Sequence, residues 1–307
     1  MIKSEDLKLT KEDILIGIQQ FLESYKQRNS VKNLSELANE TPSISYIIGQ
    51  PGSGKSTLRK SKEIEYGEKG RIPVKFSSDE MSKFYKYYKH ALKLLPEERY
   101  KKTREFVRPA ENVILKTLQE NKLDILRESC LDKGEKDYNE IKEFINEGYK
   151  VEINVLAVDN FESYLSCIER DIKLVEVGFN LRPVAKTNHD RMYEPIVKEI
   201  LEIEKMKLDL EIKVFARGRN IAIPPLIWSK ENNKTYQSAY EAITTERERA
   251  KRKKLSQPEE YLTRINEARN KINILILNEE FKNNYLKELK AIEEEFYREL
   301  EENQLYK

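Results

Sequence analysis

The sequence predicts an α/β fold in which a mostly parallel central sheet is flanked by helices and followed by a helical C-terminal extension. Three observations lead there. Short β-rich runs alternate with helix-length segments as far as Ile227. One run ends directly in a glycine-rich loop that opens a helix, and from Thr235 onward no strand-like run occurs. Alternation of this kind builds βαβ units and hence a parallel sheet.

Residues 1–40 read as two amphipathic helices packed on the core. Ile14, Ile16, Ile18 and Phe21 lead the first, with Thr10 and Asp13 as its start signal, and Leu34, Leu37 and Ala38 mark a short second. The first strand is Ser43–Ile48, which runs into Gly49. Further strands are expected at Pro73–Phe76, Leu123–Leu126 and Val151–Val158, and a fifth at Ile212–Phe215, followed by a hairpin through Gly218 to Ile227. Tyr138, Ile141, Phe144 and Ile145 give the helix before the fourth strand, and Gly148-Tyr149 its stop. The expected organisation is residues 1–40 as N-terminal helices, 41–232 as a nucleotide-binding core and 233–307 as a helical extension with a break near Gln257-Pro258.

The loop after the first strand, Gly49-Gln50-Pro51-Gly52-Ser53-Gly54-Lys55-Ser56, has the Walker A pattern. Its glycines let backbone N–H groups turn inward around phosphates, and the following helix start favours negative charge. Gly49, Gln50, Pro51, Gly52, Ser53, Gly54, Lys55, Ser56 and Thr57 are therefore the expected nucleotide-binding residues, for ATP or GTP. Lys55 is placed to reach the β- and γ-phosphates and Ser56 to put its hydroxyl on Mg²⁺. Together, strand, loop and helix define a P-loop NTPase fold.

A P-loop alone does not name the reaction, so the residues at the ends of the other strands decide it. Asp79 follows the second strand and suits a base toward an attacking hydroxyl, or equally an N-cap for the helix of Met81, Phe84 and Tyr85. Glu128 follows the third strand, where a water-mediated Mg²⁺ contact, a substrate hydroxyl contact and an exposed loop acid are all compatible with its position. Arg170 and Arg182 stand where a kinase lid carries guanidinium groups to neutralise a moving phosphoryl group; surface pairing is the alternative for both.

Composition removes other classes. The 56 basic and 54 acidic side chains nearly cancel, which gives no electrostatic reason for a nucleic-acid or membrane partner. Two cysteines and two histidines, without a Cys-x-x-Cys pair, argue against a disulfide scaffold or a structural zinc site. With no apolar leader and no bilayer-length apolar run, the expected location is the cytoplasm. The basic cluster Arg247, Arg249, Lys251, Arg252, Lys253 and Lys254 lies among Glu246, Glu248, Glu259 and Glu260 and reads as a solvated helix with local pairs.

From about residue 10 to about residue 215 these residues resemble the zeta toxin family, the kinases of epsilon/zeta-type toxin–antitoxin systems. The family's Walker A form stands here at Gly49 to Ser56, its base aspartate falls on Asp79, and its two glutamates fall on Glu111 and Glu128. The lid motif is Ile168-Glu169-Arg170, and the second arginine, Arg182, precedes His189-Asp190. The resemblance implies phosphorylation of the 3′-hydroxyl of the sugar in UDP-N-acetylglucosamine and a small helical antitoxin that blocks the nucleotide site. It implies Asp79 as base, Lys55, Arg170 and Arg182 on phosphates, and Glu111 and Glu128 on the sugar side. Cys130 replaces a family Thr beside the substrate, and Asp132 a family Arg, so the acceptor is expected to differ. Kinases of other hydroxylated small molecules, such as nucleosides or antibiotics, and a nucleotide-binding interaction protein without transfer chemistry are the competing readings.

Overall fold

The computed structural model describes residues 8–94, 96–177, 183–218, 223–232, 235–275 and 279–305. Its centre is a six-stranded sheet of order β2-β3-β1-β4-β5-β6, formed by β1 (Ser43–Ile48), β2 (Val74–Phe76), β3 (Ile125–Ser129), β4 (Lys150–Ala157), β5 (Glu211–Ala216) and β6 (Leu226–Ser229). The first five strands pair in parallel, and β6 is antiparallel to β5. Helices cover both faces, so β1 is apolar almost throughout, with Ile44, Tyr46, Ile47 and Ile48 all buried. The five expected strands are present; of the expected hairpin from Gly218 to Ile227, residues 219–222 lie outside the described residues, and its returning strand is β6, which begins at Leu226 and runs on to Ser229. β3 differs in extent, starting at Ile125 and running to Ser129, which places Glu128 inside the ladder opposite Ile47.

This strand order fixes the site. The chain passes from β1 to the edge strand β2, returns to β3 between them, then crosses to β4 on the other side of β1. The carboxyl end of β1 is thus a switch point, where open α/β sheets bind ligands.

The first helix, α1 (Lys11–Arg28), begins in the Thr10 and Asp13 capping box. Its buried face is Ile18, Phe21 and Tyr25, with Phe21 edge-on to Phe76 of β2, while Ile16 is exposed. Leu34–Leu37 forms a single 3₁₀ turn. The central helices are α2 (Lys55–Glu68), α3 (Ser78–Ser82), α4 (Tyr88–Ala91), α5 (Pro96–Glu120), α6 (Glu135–Asn146), α7 (Asn160–Glu176) and α8 (Lys186–Lys205).

After β6 come α9 (Ala239–Ser256), α10 (Pro258–Ile274) and α11 (Glu279–Leu305). Pro258 occupies the first turn of α10, where its missing N–H costs nothing, and so makes the expected break. Tyr261, Ile265, Ala268 and Ile272 of α10 and Tyr285, Leu289, Ile292 and Phe296 of α11 recur at helical spacing. They form a second apolar core with Phe161, Leu165, Ile168 and Ile172 on the outer face of α7.

The basic cluster of α9 is not uniformly solvated. Arg249 pairs with Glu246 as expected. Arg247 is buried over the Tyr193 ring, and Lys254 is 1% exposed, bound to Glu299 at 2.6 Å and stacked on Phe161. These two cations fasten α9 to α8, α7 and α11, because their stems are apolar and their heads find partners.

Candidate active site

The glycine loop joins β1 to α2. Gly52 has φ +75°, and a Cβ there would lie 1.9 Å from the carbonyl oxygen of Ser163 on α7, so no larger residue fits. Gly54, at φ +102°, is the N-cap of α2 and offers no capping side chain; its carbonyl accepts from Thr57 N at 2.9 Å, and the helix start beside it favours an anion. The Lys55 ammonium donates to the loop's own carbonyls, Gly49 at 2.5 Å and Gln50 at 3.0 Å. A phosphate entering the loop offers this cation a charged partner instead of two neutral ones.

Beneath the loop a buried chain of polar groups sets its shape. Gln50 Nε2 donates to Val158 O and to Ser163 Oγ, both at 3.0 Å. Ser163 Oγ lies 3.0 Å from His189 Nε2, and His189 Nδ1 lies 3.2 Å from Asp190. Burial holds the His189 ring below its ordinary pKa although Asp190 acts the other way, so the ring is neutral at pH 7. Asp190 is also penalised by burial, but hydrogen bonds from His189, Lys186 and Asn160 bring it down to about 2. The His-Asp pair thus docks the start of α8 on α7 and, through Ser163, on the loop.

Asp79 lies in the first turn of α3, exposed at the carboxyl end of β2. The cap of that helix is Ser77, whose Oγ accepts from Glu80 N at 3.1 Å, so the capping alternative for Asp79 does not hold. Glu128 is bound by Arg59 of α2 at 2.6 Å. Glu111 is 7% exposed, with its carboxylate held by Arg127 at 3.0 Å and Lys133 at 2.9 Å. Burial opposes its charge, yet these cations keep its pKa below the ordinary value. Cys130 turns its thiol to the loop, 3.4 Å from Gly49 O, and burial raises its pKa despite the nearby Lys55.

Ser163, Cys167 and Arg170 share one face of α7. Ser163 abuts Gly52, the Cys167 sulfur would lie 2.8 Å from a Cβ at Gly52, and Arg170 continues the same line. Arg170 donates to Asp171 through Nε and Nη2 at 3.1 and 3.0 Å. Burial works against the Arg170 charge, but Asp171 and, more weakly, Asp79 raise its pKa; Asp79 and Asp171 also act on Arg99 of α5. Asp171 in turn accepts from Tyr285 of α11 at 2.8 Å, so the extension reaches the arginine-bearing helix. Arg182 lies outside the described residues.

The geometry therefore gathers the loop, Lys55, Asp79, Arg170 and Glu128 around the end of β1, and holds Glu111 in an ion-pair cluster with Arg127. Arg59, Arg99 and Ser163 were not anticipated. A spacing of four and three from Ser163 to Arg170 was the available signal for Ser163, whereas the two arginines come from distant helices and left none. Ser56 is exposed at the start of α2, and no group of three His, Cys, Asp or Glu side chains able to hold a metal occurs among the described residues. One hydroxyl suits Mg²⁺, which keeps several waters and takes its other ligands from substrate phosphates. No helix among the described residues is long and apolar enough to cross a membrane.

Residues 28–232 match the family described as Zeta toxin. No curated protein matches the chain. Among solved structures, it is similar to one from the PezAT chromosomal toxin–antitoxin system of the human pathogen Streptococcus pneumoniae. That match has 18% identity and a TM-score of 0.67, covering 87% of this chain and 100% of that one. It is also similar to AvrRxo1-ORF1:AvrRxo1-ORF2 with sulphate ions, at 14% identity and TM-score 0.51, over 74% of this chain and 71% of the other. The complex with ATP matches at 12% identity and TM-score 0.50, over 75% and 71%. Such distant likenesses establish the fold, and the family match, which spans more than half of the chain, establishes the rest: this protein belongs to the zeta toxin family and is a P-loop kinase with ATP as its donor.

Proposed function

We propose that the protein transfers the γ-phosphoryl group of ATP to a sugar hydroxyl of UDP-N-acetylglucosamine or a related nucleotide sugar. The observation that carries this reading is the position of Asp79, exposed at the carboxyl end of β2 in a helix whose cap is Ser77, and near enough to Arg170 to act on its charge. Asp79 takes the proton of the acceptor hydroxyl as its oxygen attacks the γ-phosphorus, and the bond to the β-phosphate oxygen breaks to leave ADP. Lys55 and Arg170, joined by Arg182, hold the charge that spreads over the transferring group. Glu128 contacts the acceptor, and Glu111 stiffens the acceptor side through Arg127 and Lys133. Bound beside Ser56, Mg²⁺ supplies charge neutralisation for the donor phosphates. GTP is a second donor compatible with a loop that contacts only phosphates.

The test is incubation with ATP and a panel of nucleotide sugars, followed by mass spectrometry for the gain of one phosphate. Phosphorylation of UDP-N-acetylglucosamine or a close relative is the expected result; transfer only to nucleosides or other small alcohols would replace the acceptor and keep the kinase. That second reading has its own support in Asp132, where a carboxylate opposes a substrate diphosphate while the neighbouring Lys133 is bound to Glu111. A small helical antitoxin covering the nucleotide site, and a cytoplasmic location, complete the proposal.

A further inference from the structure

Successive residues of a helix are turned about 100° apart. Asp171 therefore stands between the line of Ser163, Cys167 and Arg170, which runs along the glycine loop, and the stripe of Ile168 and Ile172, which packs on α10 and α11. Its carboxylate is used from both sides. Oδ1 accepts from Nε and Nη2 of Arg170 at 3.1 and 3.0 Å, and Oδ2 accepts from the Tyr285 hydroxyl of α11 at 2.8 Å. Asp171 keeps 2% of its side chain exposed, whereas Arg170 keeps 38%. The anchor is closed to water, and the cation that it holds is open to a ligand. Burial, with the Asp171 charge beside it, raises the Tyr285 pKa far above its ordinary value, so the hydroxyl is a donor at neutral pH. The ring of Tyr285 belongs to the apolar core of α7, α10 and α11, beyond the family match, which ends at 232.

We propose that Tyr285 is a positioning residue for phosphoryl transfer: by occupying one oxygen of Asp171 it holds the Arg170 guanidinium on the other, in place for the γ-phosphoryl group. The inference rests on the reading above that Arg170 neutralises the transferring group. A carboxylate with both oxygens open takes an arginine through two parallel bonds, one to each oxygen, and that fork is the strong form of the pair. Here Nε and Nη2 converge on Oδ1 instead, because Oδ2 is bonded to Tyr285. Loss of the hydroxyl opens Oδ2, the guanidinium turns to bridge the carboxylate, and the cation is drawn onto Asp171. Charge that must be pulled back to its place as the phosphoryl group moves stabilises it less than charge already there. The C-terminal extension thus reaches the reaction through one hydroxyl and one carboxylate, without touching the nucleotide.

The experiment measures the affinities of ATP and ADP, each with Mg²⁺, by calorimetry on the full chain, for the wild type, Tyr285→Phe, Arg170→Ala and the double variant. Phenylalanine keeps the ring in its core and removes only the hydroxyl. Arg170→Ala is expected to weaken ATP about tenfold or more and leave ADP unchanged. Tyr285→Phe is expected to weaken ATP about fivefold, again without effect on ADP, and to change neither ligand further when added to Arg170→Ala. A purely structural tether would lower the denaturant midpoint and leave the ratio of the two affinities untouched. That outcome, or an effect of Tyr285→Phe that survives in the Arg170→Ala background, overturns the inference and leaves Arg170 on the phosphate. Where Tyr285→Phe fails to fold, Asp171→Asn makes the same comparison, since the amide offers Tyr285 an oxygen and turns an NH₂ group toward Arg170; ATP affinity unchanged in that variant also overturns the inference. An Arg170→Ala protein that still prefers ATP as the wild type does, or a wild type that binds neither nucleotide, overturns the reading of the site itself and the inference with it.

Discussion

The two flanks of the glycine loop are built on opposite electrostatic plans. On the β2 and β3 side, carboxylates are the groups presented or held: Glu128 by Arg59, Glu111 by Arg127 and Lys133, with Asp79 exposed in front. On the β4 and β5 side, arginines are held by carboxylates: Arg264 by Glu162 and Glu169, and Arg217 by Glu162 and the Ser166 hydroxyl. The first flank lies within the family-matched residues, and the second borrows α10 from outside them. Chemistry is assigned to the first, and the second holds α10 to α7, so the two should separate by measurement: damage to one lowers kcat, damage to the other lowers stability.

The largest expected effect tests the loop that both flanks share. Lys55→Ala should reduce phosphotransfer by orders of magnitude, because loss of such preorganised charge costs about 3 kcal/mol or more. The melting temperature should hardly move, since the hydrogen bonds of Lys55 run to the neutral carbonyls of Gly49 and Gln50 within its own loop. A near-normal rate in the folded variant would remove the phosphate from the loop.

Asp79→Asn comes next and tests the acidic flank alone. An amide keeps the size of the side chain but cannot take the acceptor's proton, so kcat should fall by about 10²–10⁴ while ATP still binds. Ser77, not Asp79, caps α3, and thermal stability should therefore be unaltered. An active Asp79→Asn protein would transfer the base role elsewhere on this flank.

A third prediction, on the opposite flank, is Arg264→Ala. Its guanidinium bridges two carboxylates of α7 and is 10% exposed. Removing one partner of a buried ion pair costs about 3–5 kcal/mol when the other is left bare, and Arg217 remains 3.3 Å from Glu162 to soften the loss. A destabilisation of about 2 kcal/mol is expected as a lower denaturant midpoint, with little change in kcat. A large fall in kcat would show that α10 supports the chemistry as well, and the two flanks would no longer be separable.

How legible each flank was in the sequence follows the range of its contacts. The loop, the strands and the helix caps are local, and Gly49 to Ser56, Thr10 with Asp13 and the Gln257-Pro258 break all stand where their residues placed them. Asp79 was placed at the right strand end, but its capping alternative survived in the sequence because Ser77 and Asp79 are both good caps. The partners of Glu111 and Glu128 were not legible, since Arg127, Lys133 and Arg59 reach them across the sheet and between helices. The ion pairs of α10 with α7 were invisible for a stronger reason: a charged amphipathic helix looks the same whether its polar stripe faces water or another helix. Lys254 and Arg247 were misread as solvated for the same cause.

The smallest effect concerns the ion-pair cluster behind the acidic flank, and its sign depends on pH. Asp137, near the start of α6, is buried and accepts a hydrogen bond from Lys133 N at 2.9 Å. Burial pushes its pKa up to about 6 although the Lys133 N–H, Lys133 itself and Arg127 pull the other way. A carboxyl that binds its proton more tightly folded than unfolded stabilises the native state most below its unfolded value, near 3.9. That stability is lost as pH rises through the window from about 4 to about 6, and above it the folded protein carries the penalty of a buried charge. Asp137→Asn keeps an oxygen for the Lys133 N–H and removes the charge. The variant should therefore gain about 1 kcal/mol over the wild type at pH 7.5 and little or nothing at pH 4.5, read from denaturant midpoints at the two pH values. A gain that is equal at both would assign the effect to packing. A loss at pH 7.5 would mean that Lys133, Arg127 and the α6 N-terminus together outweigh burial, so that the Asp137 charge belongs to the same network that holds Glu111.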